Sequence, residues 1–80
     1  MPRTEPIPVE EIEMVTNNIK REMAGVGSSI SDTAQKLNET YKSADTAASL
    51  ARQIRQGTIP FWKVLRIADV LGYKIEWTRK

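Results

Sequence analysis

The sequence predicts a mainly α-helical fold: a compact four-helix domain with an extended C-terminal segment or short strand. Three observations point there. Apolar residues recur at spacings of three and four in four separate stretches, the period that gives a helix one apolar face. Between those stretches stand helix-ending residues: Gly25 and Gly27, Asn38, Gly57 and Gly72, which accept the left-handed backbone that closes a helix. Alternation of period two occurs only in residues 73–80.

Eighty residues make one domain with a small core. Cysteine and histidine are both absent. That excludes disulfides and thiolate metal sites, and it removes the commonest general base and metal ligand. The acidic residues beyond position 24 form no acid/base pair or metal spacing, so no catalytic residue, cofactor or metal is expected, and no enzyme. No apolar run reaches the roughly 18 residues of a membrane span and none resembles a signal peptide. The expected location is cytoplasmic, in a bacterial cell. Charge is uneven. Residues 1–23 hold three basic and five acidic residues, whereas from Leu50 onward seven basic residues face two acidic ones. A basic half suits phosphate contact, though ordinary solvated charge gives the same count.

Residues 1–8 hold prolines 2, 6 and 8 and form a flexible N-terminal arm. A helix is expected over 9–24, with Ile12, Val15, Ile19 and Met23 as its apolar stripe and glutamates in its first turns to suit the dipole. A second helix covers 29–38, with Ser29 and Asp32 spaced as a capping box and Ile30, Thr33, Ala34 and Leu37 as its stripe. Residues 39–42 belong either to a turn or to the third helix, whose N-cap is Thr40 or Ser43. The third helix reaches Gly57. Pro60 opens a fourth, over 60–71, whose wide apolar surface predicts the central core element, with Trp62 packed inside. Tyr73, Ile75 and Trp77 then alternate with Lys74, Glu76 and Thr78, a strand that requires a partner, either the N-terminal arm or the same strand of a second subunit. Trp77 fits core packing or a subunit interface equally well.

The third helix, around 43–56, carries the functional signal. Ala47, Leu50, Ala51 and Ile54 form a narrow buried stripe, and Ser49, Arg52, Gln53 and Gln56 lie opposite. A short helix pinned on small residues and bearing Arg, Gln and Ser on its other side meets what reading base edges in a DNA major groove requires.

Three segments then match a known pattern. Ser29-Ile-Ser-Asp-Thr-Ala34-Gln-Lys-Leu37, Leu50-Ala-Arg-Gln-Ile54-Arg-Gln-Gly57 and Ile67-Ala-Asp-Val-Leu71-Gly72 resemble the helix-turn-helix domain of Cro/repressor-type (Xre-like) regulators of phages and mobile elements. The resemblance covers residues 9–72 and implies a λ-repressor-like domain, with 73–80 as a C-terminal strand or tail. Ala34 takes the place of the small residue that lets the recognition helix approach. Leu37, Leu50 and Ile54 take core places, and Gly57 the glycine after the recognition helix. Two departures stand out. Asn38 replaces the usual turn glycine, and about seven extra residues separate Ala34 from Gly57. They either lengthen the turn or extend the recognition helix by roughly two turns.

The family's base-contacting positions fall on Ala47, Ala48, Ser49, Arg52 and Gln53. Ala47 lies on the buried stripe, which leaves Ala48, Ser49, Arg52 and Gln53 as candidate base contacts. Arg52 suits guanine or a phosphate, Gln53 suits adenine, and Ala48 suits a thymine methyl. Lys42, Thr46, Arg55, Gln56 and Lys63 are candidate backbone contacts. The expected partner is double-stranded DNA, bound by a homodimer on two half-sites. The alternative is a protein-interaction module, an antitoxin, anti-repressor or adaptor, on the same scaffold. No membrane partner is expected.

Overall fold

The computed structural model describes residues 7–80, so the expected arm lies largely outside the described residues. Four helices follow in order: α1 (Val9–Gly25), α2 (Ile30–Tyr41), α3 (Ala47–Gln56) and α4 (Phe61–Val70). α3 packs on α1 and on α2, and α2 packs on α4. The α2–α3 pair is therefore the middle of the molecule.

Each helix start follows from local chemistry. Pro8 precedes α1, where a missing N–H costs nothing. At α2 the capping box forms: Asp32 N donates to Ser29 Oγ at 3.1 Å, and Ser29 N donates to an Asp32 carboxylate oxygen at 3.4 Å. At α3 the cap is Thr46, whose hydroxyl accepts from Ser49 N at 3.0 Å. Neither Thr40 nor Ser43 caps it. α4 opens after Pro60.

The core is Ile19, Met23, Ala34, Leu37, Leu50, Ile54, Ile67 and Leu71. Leu50 and Ile54 are sealed, with 0% and 1% of their surface exposed. Each contributes on the order of 1.5–3 kcal/mol by leaving water. Thr33 is also fully buried, and its hydroxyl is satisfied within 2.9 Å by Ser28 Oγ and by Ser29 O. A hydrogen bond ties α1 to the end of α3, from Thr16 Oγ1 to Ile54 O at 2.9 Å.

Several expectations are corrected, and the open choice between a longer turn and a longer recognition helix is decided. α2 runs three residues past Asn38, to Tyr41, and the left-handed residue after it is Lys42, with φ of 55°. The recognition-type helix is not extended toward its N-terminus: residues 42–46 are a loop, and α3 begins at Ala47. The extra residues lengthen α2 and the turn, because Ser43, Asp45 and Thr46 bond to side chains and caps rather than to helical carbonyls. α4 is not the central core element. Only Ile67 of its residues is fully buried, while Phe61, Trp62 and Leu65 are exposed. It packs on α2 alone among the helices with extensive contact, so one face suffices. Val15, at the rim of α1, is likewise exposed.

Residues 73–80 form no strand. Tyr73 N bonds to Ala68 O at 2.8 Å, closing the end of α4, and the rest of the tail runs along the surface with no strand beside it among the described residues. A strand needs a ladder to join, and none lies beside this segment among the described residues.

Candidate nucleic-acid interface

α3 rests on Leu50 and Ile54, and this fixes which of its residues face outward. Ala48, Arg52, Arg55 and Gln56 are exposed, and Ser49 and Gln53 are half-buried at the edge of the same face. Ala47, on the inner side, is half-buried, in keeping with its place on the packing stripe. Gly57 ends the helix at φ of 69° and sits against α1. A methyl group there would stand 3.2 Å from Ile12 Cγ1. Glycine thus meets two demands, a left-handed backbone and a close approach between helices.

The candidate backbone contacts divide. Lys42 and Thr46 are exposed in the loop, and Arg55 and Gln56 are exposed on α3. Lys63 is not free. Its ammonium lies 2.7 Å from Asp45 Oδ1, with only 12% of the Lys63 side chain and 8% of the Asp45 side chain exposed. It also donates to Gln53 Oε1 at 3.4 Å and stands over the Trp62 ring at 5.4 Å. Lys63 therefore braces the site from behind. The oxygen of Gln53 is engaged by a donor, and its amide nitrogen has no partner among the described residues.

Behind the face lies a polar network that the sequence did not reveal. Asn38 Nδ2 donates to Asp45 O, and Asp45 N donates to Asn38 Oδ1, both at 2.8 Å. The Ser43 hydroxyl lies 2.9 Å from Asn38 Oδ1 and 2.7 Å from an Asp45 carboxylate oxygen, and it donates to one at a time. Asn38 thus works inside a helix, as the clamp that folds residues 43–45 back on α2. Burial alone pushes the Asp45 carboxyl up. Hydrogen bonds from Lys63 and Ser43, with the charges of Lys63 and Arg66, outweigh that and hold it below the usual carboxylate range.

A second cluster flanks the first. The Arg66 guanidinium stacks over Tyr41 at 4.6 Å and over Trp62 at 4.8 Å. The Tyr41 hydroxyl donates to Asp69 Oδ2 at 2.6 Å, and that hydrogen bond raises the phenol's pKa, with burial and the Asp69 charge adding to it. Trp62, expected in the core, is instead a surface plate carrying two cations, which explains a large aromatic left 54% exposed. The available signal for the first network was Ser43, Asp45 and Thr46 close together, residue types that favour turns. Nothing in the sequence linked them to Asn38 or Lys63.

No acidic residue interrupts α3; of the carboxylates near its start, Asp45 is paired with Lys63, and Glu39 lines a shallow hollow with Asp45 and Ala47. Among the described residues no group of three or more acidic residues is placed to hold a metal, and no helix is long and apolar enough to cross a membrane. Neither a protein-family model, nor a curated protein, nor a solved structure matches this chain.

Proposed function

We propose that this chain is a sequence-specific double-stranded DNA-binding domain that lays α3 in the major groove. One observation carries the reading. α3 buries Leu50 and Ile54 completely while Ala48, Arg52, Arg55 and Gln56 stand uncovered beside Ser49 and Gln53. A helix held that firmly on one side, with short residues at its leading end and multi-donor residues beyond, has the shape and donors for base edges. Arg55 and Gln56 lie at the margin of the face, where phosphates run, and Lys42 and Thr46 flank its start. The resemblance to Cro/repressor-type helix-turn-helix regulators supports a transcriptional regulator of phage or mobile-element kind, acting as a homodimer at the bacterial nucleoid.

The test is selection from random duplexes, followed by gel shifts of the winners across a salt series. A recovered palindrome whose binding weakens steeply with salt is the expected result. Binding that ignores salt, or no duplex retained at low salt, rejects the reading. A second reading, a protein-interaction module, draws on Phe61 and Leu65, one turn apart on the exposed side of α4. It gains if no duplex is retained while one protein co-purifies in fixed ratio.

A further inference from the structure

The Lys63 ammonium lies 2.7 Å from Asp45 Oδ1, 3.4 Å from Gln53 Oε1 and 5.4 Å from the centre of the Trp62 ring. Asp45 is held in turn by Asn38 and Ser43. The place of the ammonium is therefore set jointly by α2, the loop before α3 and α4. Gln53 sits half-buried at the edge of the outer face of α3, where this cation meets it. The two ends of a glutamine amide are nearly equal in shape and opposite in hydrogen bonding: the oxygen accepts and the NH₂ donates. A glutamine with no neighbour turns over and offers either end. An ammonium carries donors only. Beside Lys63, the reversed amide would set NH₂ against NH₃⁺, two donors with no acceptor between them. Only the orientation with the oxygen toward Lys63 is compatible, and it leaves the NH₂ for the open side.

We propose that Lys63 determines specificity through Gln53: by holding the amide oxygen it fixes the side chain as a donor, and so excludes cytosine from the base position that Gln53 faces. This rests on the reading of α3 as the groove-reading helix. Guanine offers O6 and N7 to the outward N–H, thymine offers O4, and adenine offers N7. Adenine N6 also reaches the second lone pair of the amide oxygen. Cytosine brings only its N4 donor, and the Gln53 donor then faces it unpaired. A glutamine without its anchor turns its oxygen to cytosine and tolerates it. Lys63 is a positioning residue in this scheme and touches no base. Its ion pair with Asp45 keeps it there, because a lysine not tied down swings to the nearest phosphate and releases the amide.

The test measures the affinity of the full chain for four versions of its selected duplex, which differ only at the base pair sensitive to Gln53→Ala. Wild type should bind the version with cytosine facing Gln53 roughly tenfold more weakly than the best version. Lys63→Met should shrink that penalty to about twofold and leave the ratios at other base pairs unchanged. Lys63→Arg, which keeps charge and donors, should restore it. In a Gln53→Ala chain, Lys63→Met should alter no base ratio. A Lys63 that only supports the fold would lower affinity for all versions alike. Gln53→Glu keeps Lys63 and presents an acceptor outward, so cytosine should become the favoured base. Unchanged helical circular dichroism checks that each variant is folded. A cytosine penalty that survives Lys63→Met, or a Gln53→Glu chain that still rejects cytosine, overturns the proposal and leaves DNA binding standing. A wild-type chain that retains no duplex removes both.

Discussion

Lys63 Nζ lies 2.7 Å from Asp45 Oδ1, and through that ion pair α4 holds the loop that starts α3. A basic residue that the sequence offered as a phosphate contact is thereby spent on architecture. Both side chains are largely covered, so the pair is screened less than a surface bridge.

The pair makes stability depend on pH in a defined direction. The folded chain holds the Asp45 carboxyl below its ordinary range, so at acid pH the unfolded chain binds that proton first. The stabilisation is complete above the ordinary carboxylate value and disappears as pH falls toward the folded one. Lys63→Met leaves the burial without that partner, which raises the folded carboxyl's pKa, so the stability lost on acidification shrinks or reverses, and it costs on the order of 1–3 kcal/mol at neutral pH. Thermal melts against pH read both effects. Superimposable acid limbs for wild type and Lys63→Met would refute the assignment.

Salt dependence separates bracing from phosphate contact. Arg55→Ala should weaken binding to all duplexes alike and reduce the magnitude of the salt slope by about one unit, as loss of one phosphate contact does. Lys63→Ala should weaken binding with a slope close to wild type. Titrations at several salt concentrations decide it, and equal slope changes for the two variants would restore Lys63 to the phosphate-contacting set.

Base preference should follow the outer face of α3. Arg52→Ala and Gln53→Ala are each expected to cost about 1–3 kcal/mol on the preferred duplex and to relax one position of the site. Lys63 takes one acceptor site of the Gln53 oxygen, and the amide nitrogen is free to donate to guanine O6 or N7 or to thymine O4. Bidentate pairing with adenine then uses the oxygen's second lone pair, beside the 3.4 Å contact from Lys63. Substituting each base pair in turn and measuring affinity tells these apart. Uniform losses at every position would remove both residues from base reading.

The anchoring of α3 is testable without DNA. Leu50→Ala empties a sealed position and should cost about 2–5 kcal/mol, a large share of the total for a domain of this size. Gly57→Ala strains a left-handed backbone and pushes on Ile12, for about 1 kcal/mol or more. Denaturant midpoints measure both. A neutral Gly57→Ala would mean that α1 yields at that contact.

Sequence alone determined the local features of this chain. The capping box at Ser29, the packing stripe of Leu50 and Ile54, the glycine stop at 57 and the outward placing of Arg52 all follow from helical period and end chemistry, which act over a few residues. Tertiary structure alone decided what depends on distant partners. Asn38 became a clamp because residues 43–45 fold back onto it, and Lys63 became a brace because α4 passes beside Asp45. Trp62 stayed at the surface because α4 needs only one face against α2, and the alternating tail formed no strand because no second strand lies beside it. Period and capping describe a segment's own preferences. Which polar groups meet, and whether an extended segment finds a ladder, is set by how the elements pack.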